Sequence, residues 1–159
     1  MDVKIRKTEI NLITIGTGVI VLAAWTLVKF LITYFFIGLN LGDDSSSNNI
    51  VTYVLIWSFS IISFLLNGYV GFSARALGNG KNKHSFFIFV AGLIVFFRIV
   101  VVIIELIAAF IGLGDFIDLI ISAFIDITTI VFLVELIVNS IRLKKMRKAD
   151  LAKEADYEL

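Results

Sequence analysis

Residues 86–112 read FFIFVAGLIVFFRIVVVIIELIAAFIG, and this stretch decides the fold. It exceeds the roughly 20 predominantly apolar residues that carry an α-helix across a bilayer. Its two ionisable residues, Arg98 and Glu105, stand seven positions apart. Seven residues is close to two helical turns, so both lie on one face, which Ala91 and Gly112 extend in either direction. A charge near mid-span is costly in hydrocarbon unless paired or solvated, so this face is expected to turn towards protein. The remaining sides are Phe, Ile, Val and Leu.

Further apolar runs flank this one. The pattern predicts four helices, at about 10–41, 50–77, 85–112 and 116–142. The chain has 159 residues, of which 59% are hydrophobic. Soluble proteins hold about 45–50%. Mean hydropathy is +1.00. A soluble globule of this length could not bury four such runs, whereas spanning helices account for most of it. The fold class expected is an all-α integral membrane protein, a four-transmembrane-helix bundle over residues 1–142 with a charged tail at 143–159. The first run follows a basic head, MDVKIRK, as a secretory signal would. It is too long for one and lacks a small-x-small cleavage site, so it reads as a retained span.

The connections sort by charge. Residues 41–49, LGDDSSSNN, form a polar loop with Asn49 as a candidate N-cap of the second helix. Residues 112–115, GLGD, form a tight turn with glycine as terminator and Asp115 as the next cap. Neither loop holds a lysine or arginine. By contrast Lys4, Arg6 and Lys7 precede the first helix, and Arg75, Lys81 and Lys83 flank the second connection. Arg142, Lys144, Lys145, Arg147 and Lys148 follow the fourth helix. The positive-inside rule then puts both termini and the second connection in the cytoplasm of a cell carrying this protein in its cell membrane. The tail's basic half serves as a topology signal, and such a run also attracts anionic lipid headgroups.

Depth follows from orientation at about 1.5 Å per helical residue. Arg98 and Asp126 fall near the midplane, Lys29 and Glu105 in the outer half, Asn67 and Glu135 in the inner half. Opposite charges at matched depth predict an enclosed network, with Arg98–Asp126 and Lys29–Glu105 contacts made directly or through water. On the second helix Ser60, Ser63, Asn67, Gly71 and Ala74 recur at steps of three and four. Small residues let backbones approach closely, so this is its expected packing face. On the fourth helix Asp118, Ser122, Asp126 and Thr129 form one stripe, and Glu135, Asn139 and Arg142 form another. Nine residues from Asp126 to Glu135 is about half a turn out of phase, so Glu135 and Asn139 are candidates to face a partner unless Asn67 covers them.

The remaining chemistry is sparse. With no cysteine there is no disulfide and no thiolate nucleophile or metal site. His84 is the only histidine, at a loop, which rules out two-histidine haem ligation within one chain. Asp115, Asp118 and Asp126 spread over about 16 Å of helix and cannot by themselves surround one cation. Gly78-Asn79-Gly80-Lys81 lacks the glycine-lysine-hydroxyl pattern and preceding strand of a phosphate-binding loop. Voltage-sensor bundles need an arginine ladder in the fourth helix, which here is acidic. Tetraspanin-like and claudin-like proteins need a large cysteine-bearing outer loop, which is missing. The sequence therefore predicts no enzyme, no cofactor, no metal and no nucleic-acid partner. It predicts a non-catalytic subunit of a homo-oligomer or larger membrane complex. The alternative is a small ion- or proton-coupled transporter or channel that uses Arg98, Asp126, Lys29 and Glu105.

Overall fold

A chain this apolar has to satisfy its backbone within each segment, which an α-helix does without help from neighbours. Four helices form: α1 (Val3–Gly38), α2 (Ser47–Gly78), α3 (Phe86–Ile111) and α4 (Phe116–Tyr157). All four contain stretches long and apolar enough to cross a membrane. The computed structural model describes residues 3–38, 47–81, 85–112 and 116–157. The acidic loop with Asp43 and Asp44, His84 with Lys83, and the Asp115 cap lie outside the described residues, as does the side chain of Asp118.

Two helices are longer than their apolar runs. α1 begins at Val3 rather than near Ile10, because Ile5 and Thr8 continue the buried stripe of Leu12, Ile15 and Val19 at helical spacing. α4 runs on past Arg142 for the same reason. Leu133, Leu136, Ser140 and Leu143 are fully buried at steps of three and four, and Met146 packs against them. The first turns of the tail thus belong to the bundle. α2 begins at Ser47, which places Asn49 inside the helix rather than at its cap. α3 ends as expected at Gly112, whose φ of 74° allows its N–H to reach the carbonyls of Ala108 and Ala109. Hydroxyls are absorbed locally: those of Thr14, Thr17, Thr26, Ser58 and Thr128 each donate to the carbonyl four residues earlier.

α1 packs extensively on α2 and on α4, and α3 packs on α4. α2 and α3 meet much less, and α1 and α3 are diagonal and do not meet among the described residues. The α1–α2 crossing is set by glycine. A Cβ at Gly71 would lie 2.7 Å from the Gly16 carbonyl oxygen and 2.6 Å from Ile20 Cγ1. On another side of α1, a Cβ at Gly18 would lie 2.9 Å from the Phe132 ring of α4. The continuous core joins the first half of α1, the end of α2, the start of α3 and the later half of α4. Among the described residues the bundle is therefore tight at the end where Arg75, Lys144 and Arg147 lie and looser towards the other.

Candidate functional site

The polar centre sits where this core gives out. On α3 the inward face runs Phe87, Ala91, Ile94, Arg98, and on α4 it runs Leu133, Thr129, Asp126, Ala123 in the opposite direction. The antiparallel packing brings the two charges together, and Arg98 Nη1 donates to Asp126 Oδ1. Only 11% of the Arg98 side chain and 16% of the Asp126 side chain are exposed. An enclosed pair of this kind is strongly destabilising to break on one side only, because the survivor remains uncompensated.

Glu105 lies two turns further along α3. Its hydrogen-bond partner is Ser122 of α4, and Lys29, Arg98 and Asp126 are within Coulomb range. One carboxylate oxygen, Oε2, is enclosed without a hydrogen-bond partner. The matched depths of Lys29 and Glu105 suggested a contact between them, and the described residues contain no such ion pair. The diagonal placement of α1 and α3 explains this. Lys29 has to act across the bundle, whereas Ser122 projects from the adjacent α4 one turn from Asp126.

The sparse α2–α3 seam opens as a cleft of about 430 Å³. Its walls are largely phenylalanine and aliphatic side chains, and Arg98 and Asp126 reach it from inside. Ser60, Ser63 and Asn67 also line it. The expected packing face of α2 is thus divided. Gly71 and Ala74 pack on α1, while Ser60 and Ser63 edge the cleft, because α2 diverges from α3 beyond the core. Asn67 is 1% exposed. Its Nδ2 donates to the Ser63 carbonyl at 2.8 Å, and its Oδ1 has no partner.

Glu135 takes the other side of α4. It is exposed and has no hydrogen-bond or ion-pair partner among the described residues, while Asn139 is half-buried and Arg142 exposed on neighbouring turns. Asn67 sits at the α2–α3 cleft and does not cover it.

A second polar cluster, absent from the sequence reading, closes the tight end. Arg147 donates to Glu9 Oε1 at 2.7 Å and to the Leu77 carbonyl at 3.0 Å, tying α4 to α1 and to the last turn of α2. Lys144 donates to Ser85 Oγ at 2.8 Å and lies 5.8 Å from the centre of the Phe87 ring. The signal was present in the spacing, since Arg147 is the next step of the Leu133, Leu136, Ser140, Leu143 stripe. No family model, no curated protein and no solved structure matches the chain.

Proposed function

We propose that the chain is a four-span membrane protein, with both termini cytoplasmic, that works as a non-catalytic subunit and self-associates through the outer face of α4. Four apolar helices support the membrane reading, and the placing of all three basic clusters at the helix ends of one side supports the orientation. The observation that carries self-association is Glu135. It lies nine residues before Lys144, which sits level with the start of α3, and so about 13 Å into the span. That is beyond comfortable snorkelling for a short carboxylate. An acidic side chain left in hydrocarbon costs about 2.5–3.5 kcal/mol on insertion scales. Copies inserted with one topology lie parallel, and across a two-fold interface Glu135 of one copy stands one helical turn in depth from Asn139 of the other, within side-chain reach, twice over. Each carboxyl then gains an amide donor and each Asn139 an acceptor.

The chain has no cysteine, so disulfide crosslinking starts from a clean background. Glu135→Cys and Asn139→Cys should each give covalent dimers on oxidation in native membranes. Phe110→Cys, on an outward face of α3 at 93% exposure, should not. Only monomers from both α4 variants, or equal dimerisation of all three, would remove the argument. Transport has one observation in its favour, the partnerless Glu105 Oε2. Ion flux in liposomes that disappears in Glu105→Gln while dimerisation persists would favour it.

A further inference from the structure

The α2–α3 cleft has features that neither self-association through α4 nor the α3–α4 ion pair requires. Packing alone would fill a seam between two apolar helices with interdigitated side chains. Here it is left as a space of about 430 Å³, inside the roughly 300–1,000 Å³ of small-molecule sites. Phe59 and Phe64 of α2 and Phe89 and Phe97 of α3 stand on its walls. Deeper polar groups converge on it from three helices: Asn67 of α2, Arg98 of α3 and Asp126 of α4.

Those polar groups define a head. Arg98 and Asp126 neutralise each other, so a charged head would enter a low-dielectric site without a counter-ion. Arg98 spends one guanidinium N–H on Asp126 and has others to donate. Asn67 has the opposite need. One N–H of its amide is committed to Ser63, and its buried Oδ1 lacks a donor. Leaving such an acceptor unmet in the interior is costly, and a ligand hydroxyl would remove that cost. A hydroxyl can donate to Asn67 Oδ1 and accept from Arg98 at once. A carboxylate can only accept, and an ammonium can only donate.

We propose that this cleft is a binding site for a neutral, hydroxyl-headed amphiphile entering sideways from the bilayer, its apolar body between the α2 and α3 phenylalanines and its hydroxyl at Asn67 Oδ1. The proposal stands independently of self-association through α4, because neither Glu135 nor Asn139 lines the cleft.

The test is photolabelling of the full chain in detergent micelles with a diazirine-bearing sixteen-carbon alcohol. Matched probes carry a carboxylate, an amine or no head. The alcohol should label peptides from residues 59–67 and 86–101, and unlabelled hexadecanol should compete it away. Asn67→Leu should weaken alcohol labelling about fivefold, the loss expected for one hydrogen bond, while leaving the headless probe unchanged. Ser60→Trp, which fills the cleft from its edge without touching the buried amide, should abolish labelling there by both probes. The site is overturned if adducts spread evenly over all outward helix faces, or if Ser60→Trp leaves them in place. Stronger competition by the fatty acid or the amine overturns the neutral head. Crosslinks between cleft residues of two copies would show the groove filled by protein instead.

Discussion

Arg98 is the residue on which the interior turns. It stands on the inward face of α3 one turn past Ile94, where the continuous core ends on that helix, and its guanidinium is held by an acid on the neighbouring helix. Charge pairs in low dielectric have an asymmetric energetics: keeping both is tolerable, keeping neither is often as good, and keeping one is poor. Arg98→Ala is therefore expected to destabilise the bundle by about 3–5 kcal/mol, leaving Asp126 enclosed and alone. Replacing both, Arg98→Ala with Asp126→Ala, should recover most of that loss. Unfolding in mixed detergent and SDS micelles measures both. A single variant as stable as the parent would mean that the pair carries no weight, and a double variant worse than the single would mean that it does more than neutralise.

At the scale of the element, α1 packs closely on two neighbours at once, and glycine makes this possible. It meets α2 at Gly16 and α4 at Gly18, two residues apart and so on widely separated faces. Gly71→Ala would put a methyl 2.7 Å from the Gly16 carbonyl oxygen, where backbone and not a flexible side chain must give way. A cost of about 1–3 kcal/mol is expected, as for other overpacked interiors. Gly92→Ala is the control, since nothing lies within 4 Å of the added carbon. It should be neutral or stabilise by up to about 1 kcal/mol through helix propensity. Equal effects at the two positions in thermal unfolding would show that the α1–α2 crossing is not set by these backbones. α4 shows the converse lesson, that hydropathy alone underestimates a helix. Its apolar run fades near Arg142, yet Leu143, Met146 and Arg147 stay on the inward stripe and carry the packing on to Glu9.

For the whole molecule, the expected topology puts every basic cluster on one side. Cysteines introduced at Ser46 and Asn82, both in connections, should react with an impermeant maleimide from outside and inside the cell respectively. The reverse labelling would invert the orientation. The number of helices, their apolar stretches and the Gly112 stop were legible in the sequence, because hydrocarbon length, helical rise and a left-handed cap are properties of the chain taken one residue at a time. Matched depth was also enough to nominate Arg98 and Asp126 for each other. Depth could not say that α1 and α3 stand on a diagonal, so it offered Lys29 to Glu105 where α4 supplies Ser122. Nor could a stripe of small residues on α2 reveal that Gly71 meets a backbone while Ser60 and Ser63 edge an opening. Position along the membrane normal is fixed by hydropathy and 1.5 Å of rise per residue. Position around it is fixed only when all four helices pack at once, because each close backbone approach at one face turns every other side chain of that helix towards a different neighbour.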